Sequence, residues 1–306
     1  MGVRAWIQAS RPLSQANIAI PLLLGEMLAY VECMRLDVGM LVLAHVFGLL
    51  DQLFIVWAND VADEDADAVN DRPTLLSGGS RVLQQGRLTA RQLSRAAIAA
   101  ALAMLGLSVY AAVGLSRPAM PLGWALAVVL LWAYSFPPAR LSYRSAGALT
   151  QAFGVMVVLP LLGFYLQCGD IRGFPWVALA PMLALGMAGN IVTALPDREA
   201  DDEVGKQTWP VLYGAARARK HCLQLIALGA LGTPWVLPDM PQAGWALVEA
   251  GPLAVLLVAL WLHQRGAELS PKRTLWFSIA CGGAISLTMI AWIVALAMRP
   301  PWGWAG

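Results

Sequence analysis

The chain of 306 residues is 58% hydrophobic and 13% charged, with a formal net charge of +2 and a mean hydropathy of +0.62. A soluble domain carries about 25% charge, so this chain has too little polar surface to coat a globule of its size, and a bilayer takes the place of water as solvent. So small a net charge argues against a nucleic-acid partner.

Nine apolar runs follow one another, most of them about 20 residues long, the length that spans a bilayer as a helix. They cover residues 15–34, 38–58, 94–114, 120–134, 147–167, 175–195, 221–237, 244–263 and 275–298. The first contains Asn17, Pro21 and Glu26 and no clean small-residue cleavage site follows it, so it is expected to be a retained membrane helix and not a signal peptide. No alternating ten-residue strands occur, which excludes a β-barrel and leaves helices as the only way to satisfy backbone groups in lipid. The expected fold is all-α, a polytopic bundle of about nine transmembrane helices forming one domain over residues 1–306.

Lysine and arginine orient the bundle. Only Arg35, Arg117, Arg172 and Arg299 fall on one side; the other seventeen of the 21 cationic residues share the side of the N-terminus. The N-terminus and the two long polar loops, residues 59–91 and 196–220, are therefore expected in the cytoplasm of a bacterial cell and the C-terminus outside. Trp6, Trp176, Trp302 and Trp304 lie near span ends, where belt anchoring accounts for them. Cys33, Cys168, Cys222 and Cys281 are scattered singly, so neither a metal site nor a disulfide framework is expected. His45, His221 and His263 form no metal-binding motif.

The second run leads into Asn59-Asp60-Val61-Ala62-Asp63-Glu64-Asp65-Ala66-Asp67. On a continued helix Asp60, Asp63, Glu64 and Asp67 share one stripe and Asp65 points elsewhere. After the sixth run, Asp197 and Asp201 stand one turn apart. Like charges at this spacing destabilise a helix, and carboxylates stacked at a membrane boundary need cations. Hard oxygen clusters suit Mg²⁺, which binds through one or two carboxylates plus substrate phosphates. A diphosphate bridged by Mg²⁺ and flanked by arginines is a fitting ligand. Glu26 and Asp51 lie inside apolar runs, at a cost of about 2.5–3.5 kcal/mol for an aspartate at a helix centre, so both are expected to face the bundle interior.

The two acidic segments, NDxxDxxxD and DxxxD, resemble the paired signatures of the UbiA superfamily of intramembrane prenyltransferases. Arg11-Pro12 is similar to that family's opening. Tyr134-Ser135-Phe136-Pro137-Pro138-Ala139-Arg140-Leu141 resembles its YSxPPxKL segment, with Arg140 in place of lysine. Residues 196–214, with Gly205-Lys206-Gln207-Thr208, resemble its PDxxADxxxGKxT stretch. The resemblance implies a helical bundle around a central cavity open laterally to lipid, Mg²⁺ as cofactor, and an allylic prenyl diphosphate as donor. It implies that Asp60, Asp63 and Asp67 hold one Mg²⁺ and Asp197 and Asp201 another. Asn59 supports the first site, Arg11, Arg72, Arg140 and Lys206 bind the diphosphate, and Tyr134 stabilises an allylic cation or else anchors the interface. The stretch Gly79-Ser80-Arg81 to Gly86 and residues 205–214 look most like 1,4-dihydroxy-2-naphthoate prenyltransferases of menaquinone synthesis, which implies an aromatic acceptor. A terpene cyclase on the same scaffold and a membrane transporter are the alternatives.

Overall fold

The computed structural model describes residues 2–74 and 77–299. Apart from an isolated bridge between Thr74 and Ser77, the regular structure of these residues is helical. A short α1 (Val3–Ala9) turns through Pro12–Gln15 into α2 (Ala16–Cys33). The α3 helix (Val38–Ala62) starts where the Asp37 carboxylate accepts from Met40 N–H at 3.1 Å, satisfying a backbone donor left free at a helix start. A short α4 (Glu64–Val69) follows it directly. The α5 helix (Ala90–Gly114) opens with a capping box between Thr89 and Gln92, and α6 spans Met120–Ser135. Next, α7 (Ala146–Phe153) runs through a π turn at Gly154–Val158 into α8 (Leu159–Cys168). The second half holds α9 (Leu179–Ala194), α10 (Arg198–Glu203), α11 (Trp209–Tyr213), α12 (Ala215–Leu231), α13 (Thr233–Val236), α14 (Gln242–His263) and α15 (Pro271–Met298).

Seven helical stretches among the described residues are long and apolar enough to cross a bilayer. The other two runs of the sequence are also helical. One is α6, apolar but only 16 residues long. The second is interrupted, because α12 ends at Leu231 and α13 restarts after Gly232 with Pro234 in its first turn, where proline's missing N–H costs nothing. Large side chains such as Leu102, Val113, Leu247 and Leu257 stand exposed on the outer helices, as a lipid-facing surface requires. Trp302 and Trp304 lie outside the described residues.

One buried cluster joins α2, α9, α12, α14 and α15, and another joins α2, α3, α5, α6 and α8. They meet along α2 and α8. A Cβ on Gly25 would lie 2.0 Å from the Pro160 carbonyl oxygen, and one on Gly163 would lie 2.4 Å from that of Leu22. Lipid supplies no hydrophobic drive between helices, so small residues that let backbones touch hold this pair together. The same two helices correct the reading of the cysteines. Cys33 ends α2, Cys168 ends α8, and they form a disulfide with Cα atoms 6.0 Å apart across 135 residues of sequence. No spacing pattern announces a pair so distant; the packing of α2 on α8 creates it. Cys222 and Cys281 are free and buried.

Candidate active site

The acidic segment after α3 does not continue as one helix. Asp63 leaves helical geometry (φ −104°, ψ 14°), and α4 restarts at Glu64. The break turns Glu64 and Asp65 out to solvent, so the expected stripe loses Glu64. Asp63 and Asp67 stay inside. After α9, α10 packs against α4 and brings Asp197 and Asp201 to the same place. Asp63, Asp67, Asp197 and Asp201 then line one polar chamber of about 220 Å³, with Arg11, Asn59, Arg144 and Lys206 on its walls.

Neutral donors and one ammonium hold these carboxylates. The Asn59 amide donates to Asp63 Oδ2 at 3.1 Å. Lys206 is buried, with Nζ 3.2 Å from Asp63 Oδ1 and 3.7 Å from Asp201 Oδ1, so it bridges the two acidic segments. Thr208 Oγ1 donates to Asp201 Oδ2 at 3.1 Å. Asp197 accepts from the Asn70 amide at 2.7 Å and from Gly78 N–H at 3.2 Å. Asp60 is different. It is buried, is absent from the wall of this chamber and of the apolar one beside it, and is taken up by the Arg11 guanidinium and by the hydroxyl and N–H of Ser80.

One strap therefore serves three aspartates. Ser77 and Gly78 hold Asp197, Ser80 holds Asp60, and Arg81 donates to the backbone carbonyl of Asp67. Between them Gly79 sits at φ +69°, and a Cβ there would lie 1.9 Å from Asp67 Oδ2, so both the backbone and the space demand glycine. Arg11, Arg81 and Arg140 all have positive φ, 42°, 66° and 40°. Such conformations persist in non-glycine residues only where surrounding contacts enforce them.

The chamber carries a charge problem. Burial, then repulsion from Asp63, raises the Asp67 carboxyl to about 7. Burial also raises Asp201 to about 6, with Asp197 adding to the effect. Asp197 is raised by burial too, opposed by its hydrogen bonds. Burial alone would lower the Lys206 pKa, but the Asp63 and Asp201 carboxylates outweigh it and raise it. Asp63 Oδ1 is buried without a hydrogen bond of proper geometry, the Lys206 charge being its neighbour. Among the described residues no three Asp, Glu, His or Cys side chains converge into a cage of their own. That donor set fits Mg²⁺, which keeps waters and completes its shell with substrate phosphate oxygens.

A second, apolar chamber of about 270 Å³ adjoins the first, and Arg11, Asn59, Tyr134, Gln151 and Thr193 border both. Leu130, Leu131, Val158, Leu159 and Leu162 supply much of its wall, the π turn contributing Gly154, Val155 and Val158. Such turns recur at functional sites. At the neck the Asn190 amide donates to Gln151 Oε1 at 2.6 Å, and the Tyr134 hydroxyl lies 3.3 Å from the same oxygen. Tyr134 thus stands in the cavity wall and not in an interfacial belt.

Two residues expected at the site stand elsewhere. Arg72 is exposed, 4.0 Å from Asp71, and borders neither chamber. Arg140 donates to the Ala62 carbonyl at 3.2 Å and covers the Tyr143 ring at 3.6 Å, bracing the end of α3 from outside the chambers. In their place the fold supplies Arg144, Gln151, Asn190 and Thr208. No sequence signal marked Gln151 or Asn190, which are single polar residues in apolar runs. Arg144 follows the Tyr134 to Leu141 segment closely enough to have been found there.

A helical bundle with spans long and apolar enough to cross a bilayer, and with an acidic chamber adjoining an apolar one, has the build of a membrane protein with a two-part internal cavity. More specifically, the chain belongs to the UbiA prenyltransferase family, whose model matches residues 18–282. It is 32% identical over 274 residues to the digeranylgeranylglyceryl phosphate synthase of Methanopyrus kandleri, covering 87% of this chain and 90% of that protein. It is 28% identical over 240 residues to the homogentisate phytyltransferase of Synechocystis sp., covering 73% and 71%. Its fold is that of a UbiA homolog from Archaeoglobus fulgidus bound to DMAPP and Mg²⁺, with a TM-score of 0.65, 19% identity, and coverage of 96% and 99%. The chain is a membrane prenyltransferase.

Proposed function

We propose that this protein transfers a prenyl group from an isoprenyl diphosphate to a hydroxylated aromatic acceptor, a quinone precursor such as 1,4-dihydroxy-2-naphthoate, in a Mg²⁺-dependent reaction. The observation that carries this reading is the convergence of Asp63, Asp67, Asp197 and Asp201 on one chamber that opens into an apolar one. An anionic diphosphate would be repelled by four carboxylates unless cations came with it. Asp63, Asp67, Asp197 and Asp201 would hold Mg²⁺, which supplies the positive charge that neutralises the departing diphosphate. Asp60 positions Arg11 at the chamber wall. Lys206, Arg11 and Arg144 add fixed positive charge where the C–O bond breaks. The apolar chamber takes the hydrocarbon chain and keeps water from the allylic cation, while the Tyr134 ring at the neck lies where that cation forms. The acceptor ring then attacks the allylic carbon and loses a proton. The naphthoate reading is supported by the likeness of the Gly79-Ser80-Arg81 strap to that branch. The charge asymmetry of the loops supports a cytoplasmic N-terminus and cytoplasmic acidic loops.

Incubating purified protein with geranylgeranyl diphosphate, 1,4-dihydroxy-2-naphthoate and Mg²⁺ tests this. A product with the summed mass of prenyl group and ring is expected. Release of diphosphate with only a free or cyclised diterpene, whatever acceptor is offered, overturns the transfer reading.

A further inference from the structure

The apolar chamber is not apolar on every side. Its α6 and α8 side presents Leu130, Leu131, Leu159 and Leu162, but the α2 and α3 side sets Asn17, Asp51 and Gln52 among Ile18, Phe47, Ile55 and Val56. Asp51 is 5% exposed, and its Oδ1 is buried without a hydrogen-bond partner. It lies eight residues before Asn59 on α3, about 12 Å along the axis at 1.5 Å per residue, so it belongs to neither acidic segment. Neither Lys206 nor Arg11 pairs with it. A hydrocarbon chain laid against this wall would leave a carboxyl desolvated and unpartnered, which is among the costlier arrangements in a protein interior. A hydroxyl in the chamber removes that cost.

From this wall we infer that Asp51 is a specificity-determining residue, which accepts a hydrogen bond from a hydroxyl of the lipophilic acceptor inside the apolar chamber. The inference rests on the transfer reaction proposed above for the identity of the hydroxyl's owner. The donor chain packs on the Leu130 and Leu159 side, and the acceptor lies on the α3 side. A ring lacking the hydroxyl leaves Asp51 unpaired and binds more weakly.

The test separates binding from turnover. Protein in nanodiscs is titrated with 1-naphthol and with 1-methoxynaphthalene, empty nanodiscs serving as the blank. Wild type should bind 1-naphthol about tenfold more tightly, as expected when a buried polar group gains a hydrogen-bond partner. Asp51→Leu should erase the difference, and Asp51→Asn, which keeps an acceptor oxygen, should retain part of it. The Leu variant fills the same space with apolar atoms, and its melting temperature reports whether it folds. With 1,4-dihydroxy-2-naphthoate as acceptor, Asp51→Leu should raise the acceptor KM about tenfold and leave the geranylgeranyl diphosphate KM within about twofold. Equal affinity of wild type for the two naphthalenes means that the wall holds water only, and overturns the inference. So does an unchanged preference in Asp51→Leu. Discrimination by wild type, lost in Asp51→Leu, sustains the hydroxyl site even if no naphthoate is prenylated, in which case only the transfer reading falls.

Discussion

Replacing Asp63 by asparagine removes one charge from the chamber with almost no change in shape. Asp63 Oδ1 lies 3.2 Å from Lys206 Nζ, Asp201 Oδ1 lies 3.7 Å away on its other side, and repulsion from Asp63 helps to raise Asp67. In Asp63→Asn the ammonium keeps Asp201 as a partner and Asp67 loses a repulsive neighbour. Losing both partners of a buried charge would cost about 3–5 kcal/mol; with one kept and repulsion relieved, the net loss should be about 1 kcal/mol. Catalysis is more sensitive. Charge that acts on the leaving group as it departs is worth about two to three orders of magnitude in kcat per preorganised group. Asp201→Asn should behave in the same way. The double variant should cost less than the product of the singles, because both side chains grip one diphosphate. Asp65→Asn is the control. It removes the same charge from the same segment, but the α3 to α4 break leaves Asp65 exposed, so activity should stay within about twofold and stability within about 0.5 kcal/mol. The assay is initial rate against geranylgeranyl diphosphate concentration, with melting temperature recorded for each variant. Equal and mild effects at Asp63, Asp65 and Asp201 would show that the carboxylates are merely solvated, and the chemical reasoning would fail.

Excess chelator should abolish product formation and added Mg²⁺ should restore it; full turnover in chelator would refute the metal assignment. Gly79→Ala should reduce activity by at least about tenfold, since a Cβ would strike Asp67 at an already unfavourable φ; wild-type rates in this variant would show that the strap does not set the Asp67 position. Asp60→Asn should weaken the hold on Arg11 and raise the donor KM more than it lowers kcat, whereas a kcat loss as large as that of Asp63→Asn would return Asp60 to the metal site. Under denaturing, non-reducing conditions thiol labelling should count two cysteines, Cys222 and Cys281, rising to four after reduction; four without reduction would exclude the Cys33–Cys168 bridge.

Hydropathy and charge alone determined a large part of this protein. Run length dictated the helices, because lipid admits no other open backbone arrangement, and the two shortest runs, 120–134 and 221–237, are those that form the short α6 and the broken α12 to α13 segment. The acidic periodicity singled out Asp60, Asp63, Asp67, Asp197 and Asp201, since carboxylates at a membrane boundary are costly, and four of the five line one chamber. What only the tertiary structure decided depends on direction and on contacts between distant segments. The break at Asp63 sent Glu64 outward, although helical periodicity had grouped it with its neighbours. Asp60 turned to Arg11 and Ser80, and Arg140 turned to the end of α3, because those partners lie 49, 20 and 78 residues away and no local pattern encodes them. Cys33 met Cys168 for the same reason. Gln151 and Asn190 read as stray polar residues until α7 and α9 packed together. Residue type and spacing record what each segment costs in its solvent, but which group satisfies which is settled only when the helices close on one another.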